Sequence, residues 1–219
     1  MENATKRRVI RLSRKLATGL SFASWGLMAL SAQPLTQQDS TDILEQARLK
    51  VMYWEGSLNY LADPIGSSKE VIARATYREG RLKRIFRDGQ VELENDLSPL
   101  GLQSPPLDSL LAIVDYLKNF QLVYDTEDPN SIQFRVSKIR GIRVSDDGIA
   151  CEIFFERTMG GTHLPTPNET YPATFHLASL MAEKIDGAWH CYITGIRTAT
   201  EAEEAYYIPQ GYKELMEGQ

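Results

Sequence analysis

Cysteine, histidine and positive charge are all scarce in this chain of 219 residues. It has 2 cysteines and 3 histidines, and its 24 basic residues are outnumbered by 29 acidic ones. A metal site needs two or three histidine or cysteine ligands that converge with a carboxylate, so we predict no metal and no cofactor. The sequence also lacks the G-x-S-x-G pattern of a hydrolase nucleophile and a glycine-rich phosphate loop. We therefore assign no catalytic residue from motifs.

A long apolar run is missing as well. A basic N-terminal segment leads into an apolar stretch from Leu16 to Leu30, and Ser31 and Ala32 follow it. This order predicts a secretory signal peptide over residues 1–32. A permanent membrane helix needs about 20 apolar residues, so cleavage near Ala32 is favoured over a retained anchor. We expect no integral membrane segment in the mature chain, and we expect it in the periplasm, at the cell surface or secreted.

The negative charge grows when that segment is removed. Residues 1–32 contain six basic residues and one acidic residue, so cleavage changes the formal charge from −5 to about −10. A surface of that sign repels phosphate backbones, and no basic stripe with interleaved aromatic residues offsets it. Nucleic acid is therefore excluded as an expected partner.

The remaining chain has the length of a single domain. We predict a short linker over residues 33–40, one domain over residues 41–200 and an acidic tail over residues 201–219. The tail carries several tyrosines, and a short docking helix and a mobile end are both open for it.

The first half of the domain shows helical spacing. Apolar residues recur on one face from Thr41 to Leu61, and Ser67 with Glu70 forms a capping box for a second helix. A third helix is predicted to start near Ser104, just before two prolines. Its apolar positions are Leu107, Leu110, Leu111, Val114 and Leu117.

The second half alternates with a period of 2. A strand is predicted from Ile132, with a bulge near Gly141. A second strand follows through Ile149, Cys151, Ile153 and Phe155, and two more are predicted over 171–182 and 188–196. The turn at Asp186 and Gly187 between these two is a strong hairpin signal. Helices first and an antiparallel meander last predict an α+β fold in which helices cover one face of a curved sheet.

Cys151 and Cys191 fall in two of the predicted strands, on the apolar face. In a simple meander a third strand separates them, which places their Cα atoms about 10 Å apart and beyond the reach of a disulfide. Two buried free thiols are the favoured interpretation, and a disulfide stays open because an exported protein meets oxidising conditions.

Four segments of the chain carry a family resemblance: LNYLADP (58–64), IFRDG (85–89), DYLKNF (115–120) and WHCYITGI (189–196). Together with the order of the helices, they resemble the nuclear transport factor 2-like domains found in exported proteins of Bacteroidetes. This resemblance implies a cone-shaped α+β fold with a cavity between helices and sheet, and no particular activity.

Enzymes with this fold often place a carboxylate and a tyrosine inside the cavity, the first as a base and the second as a donor to an oxyanion. The corresponding candidates for cavity or ligand-binding residues are Tyr53, Tyr60, Asp96, Tyr116 and Glu156. The alternative is that Tyr60 and Tyr116 complete helix packing while Asp96 caps a loop.

Histidines provide a weaker signal. His176 and His190 could face each other across the last hairpin, opposite the face that carries Phe175 and Trp189. Exposed strand histidines without a role are the favoured interpretation over a metal site.

These observations favour a noncatalytic binding or assembly module that holds a partner protein or a small apolar ligand in a cavity or on its sheet. One alternative is a small isomerase or dehydratase that uses a buried carboxylate. Another is a structural protein that forms a homodimer through its sheet.

Overall fold

The computed structural model describes residues 35–76, 84–100, 110–145 and 148–208. The predicted signal peptide, the third-helix start near Ser104 and the end of the tail lie outside these residues. The described helices are α1 (Gln37–Ala62), α2 (Ser68–Thr76), α3 (Ile113–Val123) and α4 (Glu201–Tyr207). The described strands are β1 (Glu92–Glu94), β2 (Leu110–Ala112), β3 (Tyr124–Asp125), β4 (Ile132–Ser145), β5 (Gly148–Met159), β6 (Thr162–His163), β7 (Thr174–Ile185) and β8 (Ala188–Thr198).

Helix α1 begins four residues before the position that apolar spacing predicts. Thr36 is its N-cap, and the side chains of Thr36 and Asp39 exchange hydrogen bonds with each other's backbone N–H. This capping box satisfies two N–H groups that have no partner inside the helix. The apolar face packs on the sheet through fully buried side chains, which include Ile43, Val51, Trp54 and Leu58. In the described part of the chain, no helix is both long and apolar enough to cross a membrane.

The described strands form a six-stranded sheet in the order β2-β1-β8-β7-β5-β4 and a two-stranded sheet of β3 and β6. All pairings are antiparallel except the one between β1 and β8. The predicted turn at Asp186 and Gly187 is confirmed, since both residues have positive φ, at 51° and 84°. The register of β4 shifts between Arg140 and Arg143, which confirms the predicted bulge near Gly141. The expected α+β class is thus confirmed, and α1 lies on one face of the sheet.

The predicted third helix is wrong at its N-terminal end. Leu110 to Ala112 form strand β2 and pair with β1, and the helix begins only at Ile113. The apolar residues Leu110 and Leu111 fit helical spacing, but β1 has an edge on the side away from β8, and the backbone groups of that edge pair with β2. An unpaired strand edge is unfavourable. The side chain of Leu110 is 60% exposed.

The outer face of the sheet, away from α1, is covered in part by α4. Tyr207 and Ile208 pack on Phe154 and Leu177 in a separate small core. The rings of Phe154 and Tyr207 stack at 4.6 Å between centroids. A capping box of Thr200 and Glu203 starts the helix. Of the two alternatives open for the tail, residues 201–207 adopt the docked helix.

The helix-facing side of the sheet carries both cysteines. They are buried and free, and strand β7 separates their strands as predicted. The thiol of Cys191 contacts the carbonyl of Ile43 at 3.3 Å. A hydrogen bond with Cys151 and burial both raise the pKa of the Cys191 thiol.

Candidate functional site

Four polar side chains meet in the interior between α3 and the helix-facing side of the sheet. Asp96 lies at their centre and is 5% exposed. The hydroxyl of Tyr116 donates to Asp96 Oδ1 at 2.7 Å, and Arg157 Nη1 lies 2.7 Å from Asp96 Oδ2. Arg157 Nη1 is also 3.4 Å from the hydroxyl oxygen of Tyr116. Both carboxylate oxygens of Asp96 are thus engaged.

His176 is the fourth member of this cluster. Its Nδ1 lies 3.8 Å from Asp96 Oδ2, and its Nε2 lies 2.8 Å from the hydroxyl of Thr174. The ring stacks on Phe155 at 5.5 Å between centroids. We call Asp96, Tyr116, Arg157 and His176 the interior polar cluster.

The strands place these residues by simple alternation. Side chains of β5 that face the helices include Cys151, Ile153 and Phe155, and Arg157 is next in this series. His176 pairs with Phe155 across the β5–β7 ladder and points to the same side. Because a strand turns alternate side chains to one face, a basic residue and a histidine are carried into the core.

A loop and a helix supply the other two members. Asp96 follows β1, and the hydroxyl of Tyr171 anchors that loop by donating to the carbonyl of Leu97 at 2.8 Å. Tyr116 lies on the buried face of α3, where its ring packs at 5.8 Å from that of Trp54.

Burial sets the protonation states of the cluster. Burial and the nearby charge of Asp96 raise the pKa of Tyr116 well above its ordinary value, so its hydroxyl stays a donor. Burial opposes the charge of Arg157, but Asp96 and Tyr116 together outweigh burial, and the pKa of Arg157 is raised. Burial and the charge of Arg157 lower the pKa of His176 well below its ordinary value. The cluster therefore contains one cation, one anion and a neutral imidazole at neutral pH.

The guanidinium of Arg157 has donor atoms that are not used in the contacts described above. Its Nε and Nη2 atoms are buried and have no hydrogen-bond acceptor among the residues that the structure describes. Unpaired buried donors are rare in folded proteins and are energetically unfavourable.

The five candidate residues divide into two groups. Asp96 and Tyr116 are in direct contact in the interior polar cluster. Tyr53 is 51% exposed on α1, and Tyr60 donates to Glu70 of α2 at 2.7 Å. Glu156 is buried on the outer side of β5, where it forms an ion pair with Arg135. The structure does not bring these three to the cluster.

The prediction for His176 and His190 is wrong. His190 pairs with Glu183 and His176 with Thr198, at different ends of the β7–β8 ladder. His176 is 1% exposed. Phe175 lies on the opposite face, and this face is apolar too because α4 covers it. Within the described ranges, no group of three metal-binding side chains occurs.

Arg157 and His176 were missed as site residues. The signal for Arg157 was available, since it continues the alternation of Cys151, Ile153 and Phe155 on a buried face. No comparable signal exists for His176, because β7 has apolar residues on both of its faces and alternation does not show which face is buried against the helices.

No family model and no curated protein matches the sequence. Solved structures with a similar backbone include an NTF2-like protein of unknown function from Shewanella baltica. It is 14% identical, with a TM-score of 0.39, over 76% of this chain and 98% of that one. A ketosteroid isomerase-like protein from Erwinia carotovora is 10% identical, with a TM-score of 0.37, over 75% and 99%. The association domain of C. elegans CaMKII is 11% identical, with a TM-score of 0.35, over 72% and 98%. These likenesses assign no activity, ligand or partner to this chain.

Proposed function

We propose that this protein is an exported, noncatalytic binding module that admits a small ligand to the interior polar cluster. The observation that carries this proposal is the edge of Arg157 beside Asp96 whose Nε and Nη2 atoms have no acceptor within the described ranges. Burying a guanidinium and a carboxylate together is often no more favourable than an apolar core of the same volume. A polar cluster at this depth, with donors that no described residue accepts from, is therefore better explained by ligand binding than by stability.

The state of the carboxylates favours binding over catalysis. A general base needs a free oxygen within hydrogen-bond distance of the proton that it removes. Both oxygens of Asp96 are engaged by Arg157 and Tyr116, and Glu156 lies on the other face of the sheet, bonded to Arg135. The isomerase alternative would need one of these ion pairs to open.

Assembly through the sheet is the second candidate. Helix α4 already occupies the outer face over Phe154 and Leu177, so a partner that bound there would meet or displace this helix. A homodimer and a partner protein both remain predictions for this surface.

Export is proposed from the order of charge and hydrophobicity in residues 1–32. Expression of the full chain followed by cell fractionation and N-terminal sequencing tests it. We expect a mature protein that starts near residue 33 outside the cytoplasm. Recovery of the uncleaved chain in the cytoplasm would contradict export and leave the binding proposal standing.

Native mass spectrometry of the protein purified from cells that express the full chain tests binding itself. Comparison with the denatured intact mass reveals any retained molecule. A retained small molecule that is lost on denaturation would support the proposal. A bare monomer, together with turnover that Asp96→Asn abolishes, would replace it with the enzyme alternative, and a dimer would favour assembly.

A further inference from the structure

The unused donors of Arg157 lie on one edge of its guanidinium. Nη1 is taken up by Asp96 and Tyr116, whereas Nε and Nη2 have no acceptor in the described part of the chain. Nε–H and Nη2–H are parallel in a planar guanidinium. This edge matches the two oxygens of a carboxylate, with which arginine forms paired hydrogen bonds.

We propose, on the basis of the proposed function, that Arg157 binds the carboxylate of a small organic acid through this edge, and that His176 takes up a proton when the acid binds. A water molecule or a carbonyl oxygen would satisfy one donor. A carboxylate satisfies both, and it is the acceptor that the free edge fits.

The surroundings of Arg157 favour an acid with an apolar or aromatic body. Tyr124 and Tyr171 are close enough to sense the charge of Arg157, and their rings lie 5.7 Å apart. Their hydroxyl hydrogens are already donated to Ser131 and Leu97. These two tyrosines therefore offer ring surface, and no hydroxyl hydrogen, to a molecule bound beside Arg157.

Charge balance is the reason for the proton. Arg157 and Asp96 offset each other, so a buried carboxylate would leave one negative charge in a medium of low dielectric constant. His176 is neutral and lies 3.8 Å from Asp96 Oδ2. The other groups against its ring are Arg157, Thr174, Phe155 and the backbone of Arg197. Burial and the charge of Arg157 lower the pKa of His176, and a hydrogen bond with the backbone of Arg197 raises it. A bound carboxylate would offset the charge of Arg157.

Binding requires a small opening of the core. Arg157 is 4% exposed, and its free edge is covered by neighbours that offer no acceptor among the described residues. Separating these neighbours removes apolar contacts, and the two new charge-assisted hydrogen bonds offset that loss. We therefore expect slow association for a ligand of this size.

Calorimetric titration with benzoate and with benzamide tests the proposal. The two probes share an aromatic ring and differ in charge and in the second oxygen. We expect benzoate to bind at least about tenfold more tightly than benzamide. Titration in two buffers of different ionisation enthalpy should show uptake of about one proton per benzoate, and His176→Gln should abolish it. Equal affinity for both probes, or binding of neither, would overturn the proposal.

Arg157→Lys is the matched variant, because it keeps the charge and removes the paired donors. We expect it to lose the preference for benzoate over benzamide. If this variant does not fold, proton uptake in the wild-type protein remains as the readout, and binding of benzoate without a proton contradicts the role of His176. A retained native molecule that lacks a carboxyl group would support the proposed function and overturn this inference.

Discussion

Glu156 and Arg157 are neighbours on β5, and each forms an ion pair on its own face of the sheet. Arg157 faces the helices, where the side chains of Arg157 and Asp96 are 4% and 6% exposed. Glu156 faces outward to Arg135, and the side chains of these two residues are 6% and 56% exposed. The two pairs have the same chemistry, but water can replace the partner only in the outer one. Two residues joined by one peptide bond thus differ in whether water can reach the partner of their ion pair, because a strand turns them to opposite faces of the sheet.

Removing one charge from each pair gives the largest expected difference. Asp96→Asn leaves the buried guanidinium of Arg157 without an anion, and we expect it to reduce the free energy of unfolding by about 3–5 kcal/mol. Glu156→Gln leaves Arg135 in contact with water, and we expect a loss below about 1 kcal/mol. Urea unfolding measures both. Equal losses would show that the interior pair is solvated and would remove the basis of the comparison.

A second pair of neighbours extends the comparison to α4. Tyr207 is 7% exposed on the outer face of the sheet, whereas Tyr206 is 72% exposed. Tyr207→Ala should lower the free energy of unfolding by about 3 kcal/mol, because a buried aromatic ring is lost. It should also expose Phe154 and Leu177, which binding of a hydrophobic dye would report.

Tyr206→Ala is the control for that variant. We expect it to change the free energy of unfolding by about 0.5 kcal/mol or less, as surface substitutions do. An effect as large as that of Tyr207→Ala would mean that α4 docks through its other side.

Local sequence signals predicted the parts of the fold that depend on neighbours in the chain. The turn at Asp186 and Gly187 needs two residues that tolerate positive φ, and the sequence provides them. The apolar face of α1 needs only helical spacing. Leu110 and Leu111 also fit helical spacing, but they pair with β1, which is remote in the sequence. A local pattern does not encode that pairing.

The candidate site was predicted only in part for the same reason. Asp96 and Tyr116 were proposed and lie in contact, whereas Arg157 and His176 were not proposed. Arginine is mostly exposed in folded proteins and histidine is intermediate, so the residue type alone does not favour an interior position for either. The alternation of β5 was the better guide, because it follows the backbone and not the chemistry of the side chain.

Acid should weaken the helix-facing side of the sheet through His176. Its pKa is well below the ordinary value in the folded protein and near 6.5 in the unfolded chain. Between these two values the unfolded chain binds more protons, so stability falls as the pH decreases below about 6.5. The slope from this group is at most about 1.4 kcal/mol per pH unit.

His176→Gln should flatten that dependence when the free energy of unfolding is measured from pH 7 to pH 4. His190→Gln is the control, because His190 lies at the far end of the hairpin and is only half-buried, with a pKa that burial also lowers. A wild-type slope that His190→Gln removes and His176→Gln does not would locate the acid sensitivity at the hairpin end.

The thiols give the smallest expected effect, at the other end of the same face. Cys151 pairs with Leu180 and Cys191 with Ala182, so β7 lies between them. A disulfide needs Cα atoms within about 7 Å, and two strand spacings exceed that distance. We therefore expect no change of melting temperature when oxidant or reductant is added. Both thiols should react with a thiol reagent only after unfolding, since both are buried. The raised pKa of Cys191 keeps its own thiolate population small as well. Rapid labelling of the folded protein would contradict this expectation. It would show that the core around Cys151 and Cys191 opens readily, as the core around the interior polar cluster must do to bind an acid.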